Sequence, residues 1–349
     1  MTALKAESPP ESLYAARARR AGFQRQLWFA ISAAVLLLAA MIASVALGTR
    51  PIPLPEVWDA AIGTAQPHVE QVVAARIPRT LLGVVVGAGL GVSGLLIQAV
   101  MRNPLAEPGL LGVTMGASAS VVTVAAFSGL SLGLGAIGLA MPGALLAVAA
   151  VYLLGGRARS SSAVSWVLAG AVVSAVLGAY VQAMVLSRPE VFDSYRHWVV
   201  GSLAGAHFET LFTAAPFITA GLACAWSIAP ALNQISLGDD LAHSLGVKVV
   251  LVRTIALAAA AVLAATATAA VGPIAFVGLV VPHLARALAG TDYRWLILQT
   301  VLLGAVLLLG ADVAARVVAR PQELMVGVVT AFIGAPFLLL AVRRGRITG

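Results

Sequence analysis

Residues 80–101 read TLLGVVVGAGLGVSGLLIQAVM, an uncharged run of twenty-two residues that contains five glycines. A transmembrane helix needs about 20 consecutive, mostly apolar residues, so this run is long enough to cross a bilayer. Gly83, Gly87 and Gly91 recur every four residues and therefore fall on one face of a helix. Small residues on such a face let neighbouring backbones approach closely. The run predicts a tightly packed helix at the centre of a membrane bundle.

The composition of the whole chain predicts many such helices. Of its 349 residues, 60% are hydrophobic and only 10% are charged, whereas soluble domains carry about 25% charged residues. The expected fold is an all-α polytopic membrane protein, with a polar basic arm at residues 1–26 and a ten-helix transmembrane domain at residues 27–349. The ten predicted spans are 27–47, 80–101, 112–127, 137–154, 163–186, 210–231, 249–270, 274–289, 295–315 and 324–342.

The basic residues predict the orientation of these spans. Ten spans place both termini on one side, where fifteen of the 22 Lys and Arg residues then lie; the positive-inside rule makes that side the cytoplasm. The Lys and Arg residues are scattered between apolar runs, which favours contact with membrane lipid and argues against a basic groove for nucleic acid. Arg79-Thr80 and Arg253-Thr254 open the second and seventh spans from opposite sides. This pair indicates a possible inverted repeat, although two dipeptides can also coincide by chance.

The sequence contains no pattern typical of an enzyme. Its only lysines, Lys5 and Lys248, do not occur in a phosphate-binding loop, and five scattered His with one Cys give no metal-ligand spacing. We therefore expect no catalytic residue, no metal site and no cofactor in this chain. The acids within or beside the spans, Glu107, Asp312 and Glu323, lie near predicted helix ends, and Asp312 can pair with Arg316 four residues later. The energy for transport is therefore expected to come from another subunit.

Residues 236–246, SLGDDLAHSLG, predict a short amphipathic helix between the sixth and seventh spans. Ser236 and Asp239 have the spacing of a capping box, and Leu237, Leu241 and Leu245 recur at i, i+4 and i+8. Two helical turns are not stable alone in water, so the leucines should pack either on the chain's own helix ends or in a cleft of a partner ATPase. The residues assigned to this coupling surface are Ser236, Leu237, Gly238, Asp239, Asp240, Leu241, Leu245 and Gly246.

Six separate motifs, in order along the chain, resemble those of one known family. They are RIPR (76–79), NPLAEPGLLG (103–112), WVVGSL (198–203), LAHSLGV (241–247), GPIAFVGLVVPH (272–283), and ELMVGVVT (323–330) with GAPF (334–337). Together they are similar to the FecCD/BtuC-like permeases of ABC importers, which take up iron–siderophores, haem or cobalamin.

The resemblance implies a type II ABC importer permease fold in the bacterial cytoplasmic (inner) membrane. The expected partners are a second permease subunit, identical or paralogous, two copies of an ATPase that binds ATP and Mg, and a substrate-binding protein. The resemblance also implies that Arg76, Arg79 and Arg316 receive acidic residues of the binding protein, although such arginines can instead meet lipid headgroups. Asn103 and Leu105 match positions near the cytoplasmic gate, although an Asn-Pro pair also simply ends a helix. The expected cargo is a ferric siderophore, with haem or cobalamin as alternatives and an ion-coupled secondary transporter as the rival class.

Overall fold

The computed structural model describes residues 11–128, 136–156 and 163–343, so part of the predicted N-terminal arm and the last six residues lie outside it. The described residues form thirteen α-helices and one 3₁₀ helix, with no β-strand among them. The α-helices are α1 (Glu11–Ala46), α2 (Leu54–Ala61), α3 (Pro67–Met101), α4 (Val113–Ser128), α5 (Ala136–Gly156), α6 (Ala163–Ser187), α7 (Pro189–Trp198), α8 (Phe208–Ser236), α9 (Asp239–Ser244), α10 (Val249–Val271), α11 (Val277–Ala289), α12 (Tyr293–Val318) and α13 (Val326–Arg343), and the 3₁₀ helix is Pro108–Leu111.

Seven helices of the described chain are long and apolar enough to cross a membrane, which agrees with the predicted all-α polytopic class. They are α1, α3, α5, α6, α8, α10 and α12. Three further apolar helices, α4, α11 and α13, are shorter than a full span. They coincide with three of the ten runs that the sequence predicts to be spans.

Two helices begin earlier than the sequence predicts. Helix α1 begins at Glu11, whereas the apolar run begins at Leu27, and α3 begins at Pro67, whereas its run begins at Thr80. The RIPR motif therefore lies inside α3 and not in a preceding loop. Apolarity alone sets the helix start at the end of a charged stretch, but here Arg76 and Arg79 have partners on other helices that allow the helix to continue through them.

Helix α3 lies at the centre of the bundle and is the most buried of the long helices. Its glycine face packs on α12: a Cβ atom added to Gly87 would lie 2.5 Å from the carbonyl oxygen of Gly304, and one added to Gly83 would lie 2.8 Å from a methyl carbon of Leu309. Gly91 faces Thr300 of the same helix. The predicted close-packing role of the glycine face is confirmed.

Irregular backbone precedes two of the shorter helices. The 3₁₀ helix leads into α4, and residues 272–276 lead into α11, where Gly272 and Phe276 have φ angles of 78° and 70°. Both segments line one cavity of about 500 Å³, which we call the middle cavity. Non-helical backbone is tolerated at membrane depth where protein buries it or where it lines a cavity. These breaks explain why α4 and α11 are short.

The helices connect two ends of the molecule. We call the end that holds Arg76, Arg79 and Arg316 the Arg79 end, and the opposite end, where α8, α9 and α10 meet, the α9 end. Helix α3 runs from the Arg79 end to the α9 end, and α12 runs in the reverse direction. The N-terminal part of α1 lies at the α9 end, where the Phe23 ring contacts Trp295 edge-on at 5.6 Å.

Candidate functional site

A buried ion cluster joins α3 to α12 at the Arg79 end. The Arg79 guanidinium donates to both oxygens of Asp312, the shortest bond being 2.8 Å, and Nη1 donates to Glu323 at 2.9 Å. Arg316 pairs with the same Asp312 at 2.8 Å, which confirms the predicted i, i+4 pair. The Asp312 side chain is only 1% exposed. Both cations share the Asp312 carboxylate. The Arg79–Asp312 pair links residues that are 233 positions apart in the sequence.

The same cluster fixes the end of α1. Arg316 donates to the Ser44 carbonyl and hydroxyl oxygens, both at 2.9 Å, and Arg76 donates to the carbonyl oxygens of Val45 and Ala46. The last carbonyl groups of a helix have no partner within the helix, and cationic side chains satisfy them well. These contacts explain why two arginines can be buried at this end.

The three arginines predicted to receive a binding protein therefore lie together. Arg76, Arg79 and Arg316 line one cavity of about 520 Å³, with Glu323 at its edge. Arg316 is almost fully buried and already paired, so in this state it supports the cavity wall. Two exposed arginines at this end, Arg50 and Arg320, were not predicted as site residues. Only the folded chain brings them near the cavity, Arg320 through a bond to the Gly48 carbonyl.

Helix α9 lies where the sequence predicts a short helix, but its cap differs. The capping-box prediction is wrong: Ser236 is the last residue of α8, and its hydroxyl donates to the Asn233 carbonyl. The N-cap of α9 is Gly238, with φ of 120° and no side-chain cap. Because α8 continues to Ser236, the chain needs a glycine in a left-handed conformation to turn into α9. The structured helix is thus Asp239–Ser244.

One face of α9 packs on its own chain while its leucines do not. Ala242 is fully buried against Ile235 and Val249. Leu237, Leu241 and Leu245 are 65%, 56% and 58% exposed. The chain's own helix ends therefore do not cover the leucine stripe. Leu241 lies on α9, and Leu237 and Leu245 flank the helix on either side. Together the three exposed leucines, called the leucine stripe of α9 below, form an apolar patch of the kind that marks an interaction site.

Asp239 holds α9 to two membrane helices. Its Oδ1 accepts from Arg102, directly after α3, at 2.5 Å and from Arg253 of α10 at 2.9 Å. Arg102 also donates to the Ile235 carbonyl. The adjacent acid, Asp240, is exposed and has no ion pair among the described residues. Asp239 is therefore a direct charged link from α9 to the end of α3 and to α10.

The two predicted gate residues lie between two cavities. Asn103 lines a cavity of about 590 Å³ at the α9 end, which we call the α9 cavity, and Glu107 lines the middle cavity. The side-chain oxygen of Asn103, Oδ1, accepts from the Leu105 backbone N–H at 2.9 Å, so this side chain fixes a turn. Leu105 is 38% exposed. Residues 103–107 thus run from the α9 cavity to the middle cavity.

The arrangement defines the class of protein. Long apolar helices, cavities between them, a charged cavity at one end and exposed leucines at the other are features of a multi-pass membrane transport protein. Residues 36–344 match the model of the FecCD transport family, and the chain belongs to that family. It is an ABC transporter permease.

Known relatives extend over nearly the whole chain. The ferric enterobactin transport system permease protein FepD of Escherichia coli (strain K12) is 44% identical over 89% of this chain and 93% of its own length. The hemin transport system permease protein HmuU of Yersinia pestis is 35% identical over 89% and 94%. A solved structure described as a metal-chelate type ABC transporter in an inward-facing conformation has a TM-score of 0.80 at 28% identity, covering 90% of this chain and 98% of that one.

Proposed function

We propose that this chain forms the translocation pathway of an ATP-driven importer that moves a ferric siderophore across the bacterial cytoplasmic membrane. The observation that carries the transport mechanism is the exposed leucine stripe of α9, held to α3 and α10 through Asp239. The cargo rests on the 44% identity to the ferric enterobactin permease. Haem is the second candidate, because the hemin permease is 35% identical over a similar length.

The proposed assembly contains two permease subunits, two ATPase subunits that bind ATP and Mg, and one substrate-binding protein. The leucine stripe of α9 would fit an apolar cleft of the ATPase. In this arrangement the α9 end faces the cytoplasm and, because α1 starts at that end, so does the N-terminus. Ten spans, with α4, α11 and α13 completed by irregular segments, would place the C-terminus on the same side.

The binding protein would dock at the Arg79 end. Arg76, Arg79 and Arg316 line a cavity there, and a carboxylate from the binding protein could replace Glu323 as a partner of Arg79. Charges at the rim of an interface steer association and set its register. Cargo would then pass through the middle cavity, cross the segment that carries Asn103 and Leu105, and leave through the α9 cavity.

An ion-coupled carrier is the rival mechanism. Such a carrier needs an acid that can bind the coupling ion. Asp312 is bound by two arginines, which argues against that role for it.

Reconstitution tests the proposal. The chain is co-purified with its partner ATPase, placed in liposomes and supplied with binding protein and radiolabelled ferric siderophore, haem or cobalamin. We expect siderophore uptake that needs both ATP and binding protein. If haem or cobalamin were taken up and the siderophore were not, that molecule would replace the siderophore as the proposed cargo. Uptake driven by a proton or sodium gradient without ATP would refute the importer mechanism.

A further inference from the structure

The α9 cavity has a basic lining. Its charged residues are Arg102 and Arg286, and its other polar residues include Gln98, Asn103 and Tyr293. Among the residues that the structure describes, no Asp or Glu lines it. Its volume of about 590 Å³ lies in the range of small-molecule sites. The cavity is therefore large enough for a ligand and has a positive charge on its wall.

Arg286 is the unusual member of this lining. Its Nη1 donates to the Gln98 side-chain oxygen at 2.6 Å, and this is its one hydrogen bond within the described chain. No Asp or Glu of the described residues forms a salt bridge with it. The Gln98 amide nitrogen in turn donates to the Gly278 carbonyl at 3.3 Å, which fixes the orientation of the amide group.

Arg286 is half-buried, and other arginines of the described chain differ from it in their partners. Arg316 has the Asp312 carboxylate, and Arg76 donates to three backbone carbonyl groups of the segment that ends α1. Arg102 is 50% exposed and shares the Asp239 carboxylate with Arg253. A charge that is partly removed from water without a counter-ion is costly, and an ionisable residue within a membrane domain usually has a functional partner.

The chemistry of that partner follows from the guanidinium group. It has five N–H donors in a planar fork, of which Arg286 uses one on the protein. Such a fork binds two oxygens of a carboxylate or phosphate side by side. Arg102 would add a second positive charge near the same cavity.

We infer that the α9 cavity is a binding site for an oxyanion, and that Arg286 is its principal ligand, oriented by Gln98. The oxyanion has two possible sources: the phosphate of an anionic membrane lipid, since basic pockets between membrane helices bind such headgroups, or a carboxylate or catecholate group of an anionic chelate. The lipid source is independent of the cargo proposed above, whereas the chelate source rests on the proposed function.

Binding of inorganic phosphate tests the site directly. The full chain with its partner ATPase is placed in phosphatidylcholine nanodiscs without nucleotide, and its melting temperature is followed at increasing phosphate, with chloride at equal ionic strength as reference. We expect saturable stabilisation. In Arg286→Gln the half-saturating phosphate concentration should rise about tenfold or more, as expected for the loss of charged hydrogen bonds. Arg294→Gln removes an exposed charge at the same end and should leave it unchanged.

A second measurement does not depend on folding of a variant. Phosphate should slow modification of Arg286 by phenylglyoxal in the wild-type protein, read by peptide mass spectrometry, and should leave the rate at Arg294 unchanged. Equal rates at Arg286 with and without phosphate, or an unchanged half-saturating concentration in a folded Arg286→Gln variant, would overturn the inference.

Two further arms identify the source. If the lipid supplies the oxyanion, phosphatidylglycerol in the nanodisc should raise the half-saturating phosphate concentration of the wild type and not of Arg286→Gln. If the chelate supplies the oxyanion, a ferric tricatecholate should raise the half-saturating phosphate concentration of the wild type and not that of Arg286→Gln. If neither the lipid nor the chelate competes with phosphate, the cavity is not a physiological oxyanion site. The bound phosphate would then be an adventitious ion only.

Discussion

Asp312 compensates the charges on which the Arg79 end depends. It is fully buried in α12, and its two oxygens serve both Arg79 of α3 and Arg316 of its own helix. Removing one partner of a buried ion pair leaves an uncompensated charge, which costs far more than the pair itself contributes. The cluster holds the ends of α1, α3 and α12 together because each cation also has a neighbour on another helix.

Asp312→Asn should therefore destabilise the protein strongly. The variant leaves two buried guanidinium groups without their shared carboxylate, a loss of about 3–5 kcal/mol. The measurement is the apparent melting temperature of the detergent-solubilised protein together with its monodisperse fraction. Asp59→Asn, an exposed acid on α2, is the matched control. A melting temperature equal to that of the control would show that the cluster does not carry stability.

Glu323 has a different role from Asp312, although both bind Arg79. Its side chain is 33% exposed at the edge of the Arg79 cavity, so it can be displaced by a partner. On the proposed docking mechanism, Glu323→Gln removes the carboxylate that competes for Arg79. The affinity for the substrate-binding protein should tighten by about 1.4–5-fold, equivalent to the 0.2–1 kcal/mol of an exposed pair. This dissociation constant is measured from binding of the substrate-binding protein to the permease complex immobilised on a sensor surface.

The control for Glu323→Gln is Glu209→Gln. Glu209 is an exposed acid at the start of α8, beside residues that line the same cavity, and it forms no ion pair among the described residues. Both variants change the net charge of this end equally. Equal affinity changes would show that only the net charge matters and that release of Arg79 does not.

At the scale of the helices, apolarity and glycine spacing predict packing better than they predict helix starts. The glycine face of α3 could be read from Gly83, Gly87 and Gly91, because small residues at a spacing of four have one structural consequence. The start of α3 at Pro67 was missed because apolarity alone was used, although Pro67 in the first turn and Glu70 behind it are helix-start signals. The cap of α9 was missed because the sequence does not show that α8 continues to Ser236.

Gly87→Ala tests the α3–α12 contact. The added Cβ would lie 2.5 Å from the Gly304 carbonyl oxygen and 2.9 Å from the Cα of Ala305, both backbone atoms of α12, so the helices must separate. Overpacking of this kind costs about 1–3 kcal/mol, and the melting temperature should fall. Gly310→Ala in the same bundle meets no atom within 4 Å and should be neutral. Equal stability of the two variants would contradict the packing argument.

Leu241→Asp tests the leucine stripe of α9. Leu241 is 56% exposed, so the permease should fold as before, with an unchanged melting temperature. A charge within an apolar cleft of the ATPase is costly, and co-purification of the ATPase should fall about tenfold or more. Leu241→Met, which keeps an apolar side chain of similar volume, should bind as the wild type does. Full retention of the ATPase by Leu241→Asp would exclude this surface as its docking site.

At the scale of the whole molecule, α3 connects the two proposed contact sites. With 35 residues it is about 50 Å long; Arg79 lies about a third of the way along it, and Arg102 follows its last residue. Arg102 is bound to Asp239 of α9, which also holds Arg253 of α10. Helix α3 packs on α12 through glycines, so it cannot shift independently of that helix. The Asp239 carboxylate is thus the charged link between α9 and the central helix, beside the apolar contact of Ala242 with α8 and α10.

Asp239→Asn should uncouple ATP hydrolysis from transport. Its two ion pairs are partly exposed and contribute about 0–1 kcal/mol to stability, so the assembled complex should persist. Without the carboxylate, α9 keeps its apolar seat but loses its charged links to α3 and α10. We expect transport per ATP hydrolysed to fall severalfold while the ATPase rate is maintained, both measured in the same proteoliposomes. Asp240→Asn removes the neighbouring exposed acid, which has no such pair, and should keep the wild-type ratio. If both variants lowered the ratio equally, general surface charge and not the Asp239 link would connect the two subunits.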